Sequence, residues 1–479
     1  MKPPDYFPFE LKDQQKQAFS RLTNFVKGQG KAAFVLRGYA GTGKTSLMIG
    51  LTRFLARNDI DFYILASTGR AAKILIEKTG EQATTIHRMV YTFQDINDDL
   101  EQVALSMERL DMDDKGQLKL VFTPKTRLSD QGTTVYIVDE SSMVADRENP
   151  VTSHAKFGNG KLLTDLLNFD PNGRFVFIGD PCQLPPIQQP ESPALSETYL
   201  TSQFQIPCET FDLTEVVRQG SDSGILTAAM RLRELVANPE KGKWPTLTVR
   251  DCKDIDVVSQ DELYTRYLSA FKTHGENHAI MLCHSNAQRV MLNEKIRQDL
   301  GRPKGKPMVG DLLMVTQNNL LIPLVNGDFA ILRSIGNREV RAQVPFLHVT
   351  VSPAHKLEST YPIMLVESVL EGFESNLTQD QFKDLMIDFY YRMKNEGIKQ
   401  GTDEFRKALR EDPYLNALKA VHGYAVTCHK CQGGEWEEVY LYQNNKVLGI
   451  PRPGVYQWWY TALTRARKSL IVGDEWFVK

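Results

Sequence analysis

The segment Gly38-Tyr39-Ala40-Gly41-Thr42-Gly43-Lys44-Thr45 constrains this chain more than any other. Gly38 and Gly43 enclose four residues, and Lys44 and Thr45 follow. The apolar run Ala32-Ala33-Phe34-Val35-Leu36 precedes the segment, and Ser46-Leu47-Met48-Ile49 continues it. Strand, tight loop and helix in that order form the setting of a phosphate-binding loop. Glycines let the backbone turn its N–H groups toward a polyphosphate. The N-terminus of the helix adds partial positive charge. In this reading Lys44 reaches the β- and γ-phosphates, and the Thr45 hydroxyl holds Mg²⁺.

The same pattern recurs through the first 225 residues. Phe62-Tyr63-Ile64-Leu65-Ala66 leads into Ser67-Thr68-Gly69-Arg70 and a helix over 71–78. Thr134-Val135-Tyr136-Ile137-Val138 leads into Asp139-Glu140-Ser141-Ser142. Arg174-Phe175-Val176-Phe177-Ile178 leads into Gly179-Asp180-Pro181-Cys182-Gln183. Near-continuous apolar strands alternating with helices indicate an α/β fold with a parallel sheet covered on both faces. Ligands in such sheets sit at the carboxyl ends of the strands, where these polar residues fall.

Two stretches break the pattern. Residues 88–130 are polar, with acidic clusters at 95–101 and 111–114 and short apolar alternation at both flanks, which reads as an inserted arm built on a strand pair. Residues 145–160 read as a surface loop. A second αβ unit opens near His278, with a strand at Ala279-Ile280-Met281-Leu282-Cys283 and a helix over 286–300. Short β-like runs broken by Gly, Asn and Pro occupy 306–371, suggesting a small barrel or antiparallel sheet. A charged amphipathic helical region covers 379–409. The parallel pattern then resumes with strands at 439–442 and 469–472 around a helix over 458–466.

At 479 residues the chain exceeds one ordinary core, so several domains are expected. It contains no apolar run long enough to span a membrane. Its first residues lack a signal peptide's apolar core, so a cytoplasmic location is expected. Lys plus Arg number 57 against 59 Asp plus Glu, a balance compatible with a locally basic channel. Six cysteines in so long a chain do not make a disulfide framework. Cys428-His429-Lys430-Cys431 suggests half a metal site, but no second close ligand pair completes the usual four.

The acidic pair at the end of an apolar strand suits a phosphate loop's chemistry. Asp139 would orient Mg²⁺, and Glu140 would position or deprotonate the attacking water. Gln183 could hydrogen-bond both the γ-phosphate and that water, although a polar turn capped by Pro185-Pro186 explains the same residues. Two arginines, Arg218 and Arg465, are candidates to stabilise the γ-phosphoryl charge. An inserted arginine of that kind accelerates hydrolysis by roughly 10³–10⁵.

With these residues in order, the chain resembles the superfamily 1 helicases, and within them the RecD-like and phage Dda-like branch, 1B. Residues 11–19 resemble the adenine-reading segment, with Gln15 as its glutamine. Gly38 to Thr45 is similar to the first motif, Val138-Asp139-Glu140 to the second and Gly179-Asp180-Pro181-Cys182-Gln183 to the third. Leu213-Thr214-Glu215-Val216-Val217-Arg218 matches the segment of the first arginine. Thr427, His429, Lys430 and Gln432 match the fifth motif, which leaves Cys428 and Cys431 at its variable positions. Tyr460-Thr461-Ala462-Leu463-Thr464-Arg465 matches the sixth.

The resemblance implies two RecA-like motor domains. The first would comprise 1–87 and 130–220, interrupted by an arm or pin domain at 88–129. The second would comprise 221–305 and 418–479, interrupted by an SH3-like β-rich insertion at 306–417. It implies ATP and Mg²⁺ as cofactors. Nucleotide contacts would come from Gln15, Gly38, Ala40, Gly41, Thr42, Gly43, Lys44, Thr45, Ser46, Asp139 and Gly433, with Thr45 and Asp139 on the metal. Lys44, Glu140, Gln183, Arg218 and Arg465 would be catalytic. Ser67, Thr68, Arg70, His87, Asn286, Thr427, His429 and Lys430 would touch single-stranded DNA. A monomer acting on single strands and their junctions with duplex, moving 5′→3′ and unwinding, is the function implied. An RNA-directed relative and a non-unwinding, nucleic-acid-dependent ATPase remain as alternatives.

Overall fold

The computed structural model describes residues 6–108, 118–127, 132–148, 154–217 and 223–479. Two parallel sheets dominate it. The first has six strands in the spatial order Ala83–Thr85, Phe62–Ala66, Val135–Asp139, Arg174–Gly179, Ala32–Gly38 and Cys208–Leu213. Every pairing in it is parallel. Successive side chains of a strand point to opposite faces. Phe34 and Leu36 therefore pack with Leu22, Leu47 and Leu51 on one side. Ala33 and Val35 pack with Leu163, Leu166 and Leu200 on the other. Burial on both faces is the reason these strands read as unbroken apolar runs.

The second parallel sheet orders Ile255–Val258, Ala466–Gly473, Trp436–Leu441, Ala279–Cys283 and Ala425–Thr427. Its covering helix Gly454–Leu463 starts four residues before the 458 that the sequence suggests and stops before Arg465. Ala466 already pairs with Trp436, so Arg465 lies in the turn between helix and strand. That placement frees the arginine from either regular element.

A five-stranded antiparallel sheet interrupts the second unit: Tyr361–Val366, Val344–Pro353, Phe329–Arg341, Leu312–Val315 and Ala420–His422. Its last strand lies beyond residue 417, where the sequence reading ended the insertion, because Val421 pairs with Met314. Asp311 fixes the root of this sheet to the second parallel unit. Its carboxylate accepts from Arg297 Nε (3.1 Å), Arg302 Nη1 (2.6 Å) and the Tyr424 hydroxyl (3.0 Å).

The arm is a strand pair, Tyr91–Ile96 with Leu120–Pro124, and carries the helix Leu100–Glu108 between its halves. A third strand, Ala155–Phe157, joins it in parallel. Residues 145–160 are therefore more than the surface loop expected. Phe157 stacks on Phe122 at 4.6 Å, and that apolar cover recruits the segment. Phe93 lies 5.4 Å from Phe122 within this small core.

The amphipathic region 379–409 divides into Gln379–Asn395 and Asp403–Glu411. Gly397 and Gly401, both with positive φ (77° and 86°), bound the break. These helices belong to the second unit's insertion, yet their apolar face meets the first unit's arm. Phe382, Met386, Phe389 and Phe405 share one core with Ile96, Leu100, Val103 and Leu118. Gln400 closes the junction, accepting from Leu100 N (3.0 Å) and donating to Asp98 O (2.9 Å).

Burial alone would raise Asp311, but Arg297, the Met308 N–H and Arg302 hold its carboxyl below the usual range. Its stabilising contribution is complete above the unfolded-state value of about 3.9 and is lost as pH falls through the lower folded value. Asp311→Ala leaves two guanidiniums facing a buried void. It is expected to cost about 3–5 kcal/mol by urea unfolding at pH 7. A loss under about 1 kcal/mol would show that the insertion is anchored elsewhere.

Candidate nucleotide cleft and strand face

The phosphate loop runs from the end of strand Ala32–Gly38 to helix Lys44–Arg57. Gly41 (φ 78°) and Gly43 (φ 85°) occupy the left-handed region that side chains disfavour. A Cβ on Gly43 would lie 2.3 Å from Gln15 Nε2. Lys44, Thr45 and Ser46 open the helix, where backbone N–H groups have no intrahelical acceptor. Lys44 Nζ is held by the carbonyls of Gly38 (2.5 Å) and Tyr39 (3.1 Å). Gln15 accepts from Lys12 N (3.1 Å) and donates to Thr42 O (3.3 Å), so it braces the loop as well as facing it.

Asp139 ends the neighbouring strand Val135–Asp139. Burial first, then the charge of Glu140, push its carboxyl up to about 6. Lys44 opposes that rise. Glu140 adopts φ 50°, ψ 40°, a left-handed conformation costly for a glutamate. Strain of this kind is kept where a side chain must be aimed. Asp180 and Gln183 follow strand Arg174–Gly179, and both are buried. Burial raises Asp180, and Lys44 and the Tyr460 hydroxyl oppose the rise. Gln183 Oε1 is buried with no hydrogen-bond partner among the described residues. An orphaned buried acceptor in the turn that follows Asp180 fits a site that completes itself on a ligand. The loop amides, Lys44 and the Thr45 hydroxyl suit a nucleotide polyphosphate, and Asp139 suits a hard divalent cation.

The second unit closes over this edge. Arg465 is buried (4% exposed) and bonds within its own unit, to Thr461 O (3.0 Å), Gly434 O (3.3 Å) and Thr464 Oγ1 (3.2 Å). Its charge nevertheless interacts with Glu140 of the first unit. Gly433 (φ 78°) brings the same segment against the first unit, where a Cβ would sit 3.7 Å from that of Ala71. Arg218 lies outside the described residues. Val217 donates to Gly41 O (2.9 Å), so the chain leading to it reaches the phosphate loop.

The expected strand contacts have mixed surroundings. Thr68 caps the helix Gly69–Thr79 by accepting from Ala71 N, and Ser67 lies beside it, 3.5 Å from Met143 Sδ. Asn286 is exposed at the start of helix Asn286–Asp299, and His429 is exposed beside buried Thr427. Lys430 donates to Asn326 Oδ1 (3.2 Å). Arg70 donates to Gly327 O (3.2 Å) and lies over the rings of Phe329 and Trp436, so its guanidinium is engaged between units. Burial under Phe157 lowers His87 to about 4, which leaves a neutral imidazole at pH 7. Tyr460 and Thr461, within the sixth motif but absent from the sequence-derived set, make direct contacts across the cleft. Their one sequence signal was proximity to Arg465.

Cys428 and Cys431 are buried free thiols, and Cys431 Sγ donates to Cys428 O (2.9 Å). Among the described residues no group of three His, Cys, Asp or Glu is placed to hold a metal. No helix among them is long and apolar enough to cross a membrane.

Residues 10–240 match the AAA domain model, and 422–472 match the UvrD-like helicase C-terminal domain. The ATP-dependent DNA helicase Dda of Enterobacteria phage T4 is 26% identical over 90% of this chain and 92% of that protein. The ATP-dependent RecD2 DNA helicase of Deinococcus radiodurans is 26% identical over 46% of this chain and 23% of that protein. Together these matches support a superfamily 1B helicase of the RecD- and Dda-like branch. It is an ATP-dependent enzyme. A structure of a Pif1 helicase from Bacteroides is 16% identical with a TM-score of 0.47, covering 97% of this chain and 93% of that one.

Gly43→Ala is expected to weaken ATP-analogue binding by about tenfold or more in fluorescence titration, because it adds strain and displaces Gln15. Unchanged affinity would show that the loop accommodates a side chain and that its φ has no bearing on phosphate.

Proposed function

We propose that this helicase is a motor on single-stranded DNA that moves 5′→3′ and separates duplex ahead of it. The carrying observation is the division of the ATP chemistry between two units. Lys44, Thr45, Asp139, Glu140 and Gln183 belong to one, and Arg465, whose charge interacts with Glu140, belongs to the other. In this reading Lys44 would reach the β- and γ-phosphates, and Asp139 with Thr45 would hold Mg²⁺. The cation, when bound, neutralises phosphate charge. Glu140 takes the proton of the attacking water, Gln183 Oε1 accepts from that water, and Arg465, joined by Arg218, faces the charge that develops.

The likeness to the phage T4 protein, named an ATP-dependent DNA helicase, supports DNA as the substrate. The strand would cross the tops of both motor sheets, touching Ser67, Thr68 and His87 on one and Asn286, Thr427, His429 and Lys430 on the other. The units correspond to 1–87 with 130–220 and to 221–305 with 423–479, the arm to 88–129, and the insertion to 306–422, which takes in the strand Ala420–His422. A nucleotide held by both units draws them together, and its hydrolysis releases them. Alternating grip on the strand then converts each cycle into a step by one protein chain.

Lys44→Ala and Arg465→Ala are each expected to lower DNA-stimulated ATP hydrolysis by about 10³-fold or more. Arg465→Ala should retain nucleotide binding. Full turnover in the arginine variant would remove the two-unit site. Matched DNA and RNA oligonucleotides should stimulate hydrolysis unequally, with DNA the stronger. Equal or greater stimulation by RNA contradicts the substrate. Duplexes with a 5′ single-stranded tail should be unwound and those with a 3′ tail should not. A strict 3′ requirement reverses the direction.

A further inference from the structure

One hydroxyl joins the phosphate loop to the arginine-bearing element. Tyr460 lies on helix Gly454–Leu463 of the second unit and is 1% exposed. Its hydroxyl donates to Asp180 Oδ2 (2.7 Å) and accepts from Ala40 N (3.0 Å). The roles are fixed by chemistry. An amide N–H can only donate, so the single phenolic proton goes to the carboxylate. Asp180 Oδ1 accepts from Cys182 N (3.0 Å), and the carboxylate is completely buried.

Two more side chains of the second unit hold the same turn. Leu184 N donates to Thr461 Oγ1 (2.9 Å), and Gln432 Nε2 donates to Leu184 O (3.2 Å). The turn 180–184 carries Gln183, whose Oε1 has no partner among the described residues. Five residues after Tyr460, the same chain supplies Arg465, which reaches back to Thr461 O (3.0 Å). The phosphate loop, the Gln183 turn and the arginine are thus referred to one another through a single helix end.

We propose that Tyr460 is a positioning residue for ATP hydrolysis, its hydroxyl holding the phosphate loop at Ala40 and the Asp180 turn at a fixed spacing from Arg465. The proposal rests on the two-unit site described above. Tyr460 does not touch the reacting atoms. It sets where Arg465 stands when the phosphoryl group leaves, and a small misplacement of such a group is costly in rate. Of the two bonds, that to Asp180 is the stronger, because the acceptor is charged. Losing it would leave a buried carboxylate with one direct donor, the Cys182 amide, and the charge of Lys44.

Tyr460→Phe keeps the ring and deletes both bonds. Its DNA-stimulated kcat is expected to fall by about tenfold to a hundredfold, with KM for ATP changed by less than about threefold. Adding it to Arg465→Ala should slow that variant no further, because the hydroxyl acts through the arginine. Tyr456→Phe is the control. Tyr456 lies one turn earlier, is equally buried, and its hydroxyl has no partner among the described residues. That variant should match the parent in kcat. A Tyr460→Phe kcat at or above the parent's, or a further multiplicative loss on Arg465→Ala, overturns the proposal. So does an equal loss in Tyr456→Phe, which would mark general helix damage. If Lys44→Ala and Arg465→Ala both fail to reduce hydrolysis, the two-unit reading itself fails and the proposal falls with it.

Discussion

The contact between the turn 180–184 and the helix Gly454–Leu463 is the constraint on which the rest of this structure depends. It is polar and buried. Tyr460, Thr461 and Gln432 satisfy groups of the first unit that would otherwise face each other without partners. Buried polar junctions are costly unless completely paired, so they specify geometry more than they add stability. Here the geometry specified is the distance from the phosphate loop to Arg465. Two parallel sheets, each with its own core, provide rigid bodies. The junction decides how they face.

The insertions reinforce that arrangement from the opposite side. The arm shares a core with the helices Gln379–Asn395 and Asp403–Glu411, so an element of the first unit packs on an element of the second. Lys73 pairs with Asp328, and Arg70 reaches Gly327 O, adding a second crossing near the expected strand path. The apolar junction tolerates sliding better than the polar one, because dispersion contacts are non-directional while hydrogen bonds lose strength steeply with angle. Movement between units is therefore expected to re-form the polar contacts at Tyr460 and to roll over the apolar ones at Phe382 and Phe389.

The strand–loop–helix around Gly38–Thr45, the acidic pair's place at a strand end and the parallel sheet were legible because apolar runs ending in Gly or Asp leave few alternatives. The arginine of the sixth motif was legible by likeness, and its position in a turn was not, since Ala466 reads as helix in isolation and becomes strand through Trp436. Arg70 and His87 were expected to touch the DNA strand by likeness to the family. Their surroundings, Phe329 and Trp436 for one and Phe157 for the other, come from residues far along the chain. The third strand of the arm, the end of the insertion and the role of Tyr460 all depend on long-range pairing. No local period encodes such pairing.

The most direct test of a single site built by two units is the affinity for a mimic of the transferring phosphoryl group. ADP with aluminium fluoride presents that charge distribution in place of the γ-phosphate. The wild-type enzyme with single-stranded DNA should bind it more tightly than ADP alone by about a hundredfold or more. Arg465→Ala should bind ADP as the wild type does and lose that enhancement. An Arg465→Ala enzyme that retains the full enhancement would contradict the account, because the second unit would then contribute nothing to the charge that hydrolysis develops.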